Sequence, residues 1–215
     1  ASLWGIDSIV LRPHLYTLSV PLVVFLESII VAVLLTPVLF KKYWDLKNLK
    51  TKDVLAFLGV AIFGGAVGTM SITKALFYVD FVNLSVVVLM QKLQPVFALI
   101  LASLLLKERL PKHFFKWASL SIFGALLMTF GLRIPNLNTG DHTSIAALFA
   151  LLAAFSFGFS TVLSKRALKN ITYEVGTYLR FVTTAIIMFI VVLFVGDLSK
   201  VNEITEFQWL IFGII

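Results

Sequence analysis

Apolar residues run along this chain in long blocks, and short charged segments separate the blocks. A helix needs about 20 mostly apolar residues to cross a hydrocarbon core of ~30 Å. Taken on that length and on the helical period, the pattern predicts α1 over 1–11, α2 over 21–40, α3 over 54–73, α4 over 81–106 and α5 over 114–131. A polar stretch, LRIPNLNTGDHTS, follows; α6 is then expected over 145–164, α7 over 173–195 and the start of α8 at 207. Pro21 suits the first turn of α2, where no backbone donor is lost. Both ends of the chain read as cut: there is no initiator Met, and an apolar run is still in progress at Ile215.

Composition rules out the reading of these blocks as the buried helices of a soluble protein. Apolar residues make up 60% of the chain and charged residues 13%, against about 45–50% and about 25% in soluble domains. The net charge of +7 suggests nucleic acid until the basic residues are placed. Twelve of the 18 fall in the segments after α2, α4 and α6, four in the opposite loops (Arg12, Lys74, Arg133, Lys200), and two, Lys92 and Arg180, inside helices. Loops rich in Lys and Arg stay in the cytoplasm, so the charge is a topology signal, and the expected location is the plasma membrane of a prokaryote. Cysteine is absent, which removes disulfides and thiolate metal sites. His14, His113 and His142 lie in loops, and neither H-E-x-x-H nor G-x-S-x-G occurs. No enzymatic activity, metal or cofactor is therefore expected. Nothing resembles a channel filter.

A shift of 153 residues aligns the start of the chain with its later part, pairing Gly5 with Gly158, Leu15 with Leu168, Leu26 with Leu179, Ala32 with Ala185 and Val38 with Val191. Five helices separate the copies, so the second runs opposite to the first. Inverted repeats of this kind enclose the substrate site of many secondary transporters. The expected fold is thus an all-α integral membrane bundle of inverted repeats: a first repeat over 1–131, a linker over 132–144 and the start of a second repeat over 145–215.

The segment ALFYVDFVNLSVVVLMQKLQPVFALILASLLLKERLPKHFFKWASLSIFGALLM resembles α3 to α5 of the drug/metabolite transporter superfamily, specifically its EamA-type members. It carries a proline within α4 (Pro95), a Glu-Arg pair at the end of that helix (Glu108, Arg109) and a glycine in α5 (Gly124). The aromatic-glycine opening of α1, Trp4-Gly5, fits as well. This resemblance implies ten helices in two inverted five-helix repeats, about eight of them in this chain, and a secondary transporter working by alternating access. Export of amino acids or related compounds is the solute class it suggests. Early in α7 Arg180 matches the family pattern, whereas the equivalent position in α2 is Glu27.

Lys92 is the residue most in need of an explanation. A charge at a helix centre costs about 2.5–3.5 kcal/mol on insertion scales, and an intramembrane ionisable group is a functional hypothesis by default. Gln91, Gln94 and Pro95 surround it, and the proline frees a carbonyl one turn earlier. The readings are an anchor for a carboxylate or phosphate of the solute, a charge-compensating site during transport, an ion pair with Asp7 or Glu27, or a lysine reaching along lipid to the interface. Asp7 stands three residues after Trp4, on one helix face; together they suit a cavity wall, and Asp7 alone suits a buried partner for Lys92. Glu27 and Arg180 are expected as packing pairs or interfacial anchors. Gly64 and Gly68 form a small-residue face for close helix approach. Tyr78, Asp80 and Asn83 are expected as interfacial anchors. The partners implied are a small solute, the bilayer and a proton or other coupling ion. Anionic metabolites such as sugar phosphates are the alternative cargo, with Lys92 as their anchor.

Overall fold

A computed structural model of the chain describes residues 7–42, 44, 49, 51–78, 84–107, 109–110, 112–130, 143–168 and 171–215. All of its regular elements are helical. The first, α1, is a π-wound segment, Asp7–Leu11, followed by a 3-10 turn, Arg12–Leu15. Helix α2 runs Val20–Lys41 with Pro21 in its first turn, as expected. Helix α3 spans Thr51–Tyr78 and changes winding on the way, being α over Thr51–Val60, π over Ala61–Val67 and α again over Gly68–Tyr78. Helix α4 comes in two pieces, Leu84–Gln91 and Gln94–Leu106. Then follow α5, Phe114–Phe130, α6, Thr143–Ala167, and α7, Tyr173–Val195. A 3-10 segment, Asp197–Glu203, leads into α8, Glu206–Ile214.

Among the described residues, five helices are long and apolar enough to cross a membrane: α2, α3, α4, α6 and α7. Large apolar side chains point outward on them, Leu34 at 70% and Phe194 at 88% exposure among them. In water so much exposed hydrocarbon would drive aggregation; in a bilayer it is the surface the solvent requires. Of the other three predicted spans, α5 has 17 residues and α8 nine, and the expected range of α1, 1–11, lies partly outside the described residues.

The chain divides into two units, Ala1–Ala66 with Leu163–Ile215, and Val67–Val162, so the division falls within α3 and α6. In the first unit α7 packs along α2, with Phe25 and Phe189 ring centroids 5.6 Å apart. Lys42 at the end of α2 meets Glu174 at the start of α7 at 2.6 Å. Gly196 closes α7 in the left-handed region, φ 77°, where its N–H reaches the Val192 and Leu193 carbonyls; glycine adopts that conformation at no steric cost. Helix α8 is tied to the α1–α2 connection by Gln208, whose amide donates to the His14 carbonyl at 3.0 Å and to Thr17 Oγ1 at 2.9 Å.

Thr205 and Gln208 also form a reciprocal cap at the start of α8: Gln208 N–H donates to Thr205 Oγ1 at 3.3 Å, and Thr205 N–H to Gln208 Oε1 at 3.1 Å. Thr205→Ala removes one of these bonds and should cost about 1 kcal/mol. An unchanged thermal midpoint in detergent would show that the bilayer-facing contacts of α8, and not its cap, hold it in place.

In the second unit α6 supplies a stripe of small residues, Ala146, Ala150 and Ala153, fully buried against Ile72, Ala75 and Leu76 of α3 and Val87 of α4. Lipid tails are as apolar as leucine, so helices associate in membranes through close packing, which small residues permit. Gly158 continues the stripe. A Cβ there would stand 3.0–3.1 Å from Phe97, Ala98 and the Gln94 carbonyl, so α6 lies against α4 at the point where α4 is interrupted.

Candidate functional site

Three polar constellations interrupt the apolar packing. The first gathers around Arg12, which sequence alone places in a loop. The π winding of Asp7–Leu11 and the tight turn after it fold Arg12 back, so that its Nε donates to Asp7 Oδ2 at 2.9 Å. Its Nη2 stands 3.2 Å from Glu27 Oε1. All three side chains are largely buried, at 11, 18 and 13% exposure for Arg12, Asp7 and Glu27. Burial works against the guanidinium charge, and the Glu27 and Asp7 carboxylates offset it. Asp7 Oδ1 has no hydrogen-bond partner among the described residues.

Asp7 and Glu27 are thus joined through Arg12. Arg12 reaches both carboxylates with a fork of donors.

The second constellation is the contact of α3 with α7. In the π-wound stretch of α3 the carbonyls of Ala61 and Gly64 turn to α7, where Thr184 Oγ1 lies 3.5 Å from Ala61 O and Arg180 Nη2 3.3 Å from Gly64 O. Wider turns of this kind recur at functional sites because they free backbone carbonyls. Gly65 makes the approach possible: a Cβ on it would overlap the Thr184 side chain. Gly64, Gly65 and Gly68, on the small-residue face of α3, are all buried. The Arg180 guanidinium lies 5.6 Å from the Phe181 ring centroid, while its Nε is buried with no acceptor.

The third is the break in α4. Pro95 opens the second piece of the helix, and across the break Lys92 N–H is shared between the Val88 and Leu89 carbonyls at 3.2 and 3.0 Å, while Leu93 N–H donates to Met90 O at 3.1 Å. Gln91 and Gln94 are half-buried at its edges, and Lys92 and Pro95 are exposed. Proline removes a donor and clashes with the preceding turn, so the helix tightens locally instead of continuing.

Of the other predicted residues, Arg109 is exposed beyond the end of α4, and Trp4, Glu108, Asp80 and Asn83 lie outside the described residues. Tyr78 stacks on Phe149 at 5.8 Å, with the Lys74 ammonium 4.9 Å from the Phe149 ring centroid. Sequence reasoning missed Arg12. The available signal was its spacing of five from Asp7, which a wide helical turn can close.

The family description that matches this chain is the EamA-like transporter family, over residues 1–130 and 144–215. A relative, the "Riboflavin transporter ImpX" of Fusobacterium nucleatum subsp. nucleatum, is 44% identical over 214 residues, covering 99% of this chain and 71% of the relative. No solved structure matches. With long apolar helices and outward-facing hydrocarbon, this chain is an integral membrane transporter and belongs to the EamA-like transporter family.

Proposed function

We propose that this chain carries riboflavin, or a closely related neutral flavin, across the membrane by alternating access between two inverted repeats. The identity of 44% with a protein named as a riboflavin transporter carries the reading. The gap in the family match, 131–143, falls on the polar linker between the repeats and supports their division there. A flavin presents an aromatic ring system, an imide edge that both donates and accepts hydrogen bonds, and a chain of hydroxyls. Gln91 and Gln94 carry side-chain amides with both donor and acceptor, and a freed carbonyl near them adds an acceptor. Trp4, Asp7 and Lys92 remain candidate contacts in this reading, Trp4 as a stacking surface. The excess of Lys and Arg after α2, α4 and α6 supports a cytoplasmic position for those loops, in the plasma membrane of a prokaryote.

The test is flux of riboflavin, followed by its fluorescence, into proteoliposomes holding the full-length protein. Saturable uptake that excess amino acids or sugar phosphates leave untouched is the expected result. Movement of amino acids without riboflavin would return the reading to amino-acid export, and movement of sugar phosphates alone to an anion carrier. Gln94→Leu should lower riboflavin flux at limiting concentration about tenfold, since an unmade hydrogen bond to a buried polar group costs about 1–3 kcal/mol. An unaltered flux would take Gln94 out of the site.

A further inference from the structure

The structure assigns a second ligand site, for an oxoanion, to the cavity beside Arg180. This cavity, about 210 Å³, lies within the first unit and is lined by Phe57, Ser164, Tyr173, Gly176, Thr177 and Arg180 among others. Arg180 stands seven residues inside α7, about 10 Å along the helix from Tyr173. Its described polar contact is the Gly64 carbonyl, a neutral acceptor, and its Nε is buried with nothing to donate to. Among the described residues no carboxylate pairs with it.

A guanidinium within a membrane helix normally has a counter-charge, and the first repeat shows what one looks like. The shift of 153 residues that relates the repeats sets Glu27 on Arg180, Asp7 on Ser160 and Arg12 on Lys165. Glu27 is neutralised by Arg12. At the corresponding places the second repeat offers a serine and a lysine, so the sign of the helix charge is reversed and the balancing acid is missing. The cavity wall supplies what an anion needs in its place: the guanidinium and the hydroxyls of Ser164 and Tyr173, while the Thr177 hydroxyl donates to the Tyr173 carbonyl at 2.8 Å. A neighbouring cavity of about 310 Å³ adds Lys52 and Arg166, which raises the local concentration of anions. A carboxylate or phosphate group fits these donors, with Phe57 and Leu168 accommodating an apolar remainder. Its source is either a water-soluble organic anion or the headgroup of an anionic phospholipid.

Thermal unfolding of the full-length protein in neutral detergent decides between these. Inorganic phosphate at millimolar concentration should raise the midpoint saturably in the wild type and not in Arg180→Gln, which identifies a soluble oxoanion. A rise produced only by phosphatidylglycerol added to the micelles, again lost in Arg180→Gln, identifies the lipid headgroup. Should Arg180→Gln fail to fold, Arg180→Lys keeps the charge but not the fork, and its half-saturating phosphate or lipid concentration should rise about tenfold. Equal responses in wild type and variant, as general exclusion of phosphate from protein surface would give, overturn the site. So does the absence of any response to either anion. Neither result bears on riboflavin flux, which is measured separately.

Discussion

Arg12→Ala should destabilise the folded protein by about 3–5 kcal/mol, the range for removing one partner of a buried ion pair. The loss is that large because the pair is a triad. Asp7 and Glu27 are held by the same guanidinium at 2.9 and 3.2 Å, and without it two mostly buried carboxylates face each other with no cation among the described residues. Arg12→Lys should fall between wild type and alanine, because an ammonium is a point charge and cannot hold both acids with separate donors. Neutralising the acids as well, with Asp7→Asn and Glu27→Gln in the Arg12→Ala background, should recover most of the loss, since hydrogen-bonding amides need no counter-ion. Thermal midpoints of the four proteins in detergent test this. If Arg12→Ala melts with the wild type, the triad contributes nothing to stability.

Gly65→Val should be the most damaging single change along α3. A Cβ at this position would overlap Thr184 Oγ1 and sit 2.7 and 2.8 Å from Thr184 Cγ2 and Cβ, and a valine adds two methyl groups beyond it. Overpacking of a close contact costs about 1–3 kcal/mol and sometimes more. Separating α3 from α7 here also strips the Gly64 and Ala61 carbonyls of their side-chain donors. The interaction is tested by pairing: Gly65→Ala with Thr184→Ala should melt above Gly65→Ala alone, but below wild type, because the residue 184 Cβ stays too close. Gly124→Ala is the control, since nothing lies within 4 Å of a Cβ there. Equal shifts for Gly65→Ala and Gly124→Ala would mean that the Thr184 contact contributes nothing, since better helix propensity alone would raise both midpoints alike.

Much of the fold was legible because the bilayer constrains it. A membrane segment must satisfy its backbone internally and present hydrocarbon outward, so apolar length and charged punctuation report helices directly. Helix α7 spans the expected 173–195, and α2 and α5 end within a residue of expectation. Helix α3 is longer than its apolar block at both ends, because polar residues such as Thr51, Lys52 and Lys74 extend a helix past the hydrocarbon. Helix α4, expected as one helix over 81–106, instead parts at Lys92–Leu93, because the backbone freed by Pro95 turns tightly there.

The candidate site was less legible, and Arg12 and Arg180 show why. Lys92 attracted notice because it lies in mid-helix, while Arg12 counted as a loop charge and Arg180 as an anchor. Periodicity reports which way a residue faces on its own helix, and it carries no information on which distant residue it meets. Solvent, helix number and approximate ends are local properties of composition and length, so the chain sequence sufficed for them. That Arg12 folds back on Asp7 and Glu27 depends on the unusual winding of α1, and that α3 unwinds by a fraction of a turn to offer carbonyls to α7 and that Arg180 stands beside a cavity with no acid among the described residues to balance it depend on packing between segments far apart in the chain. Only the tertiary structure decides those.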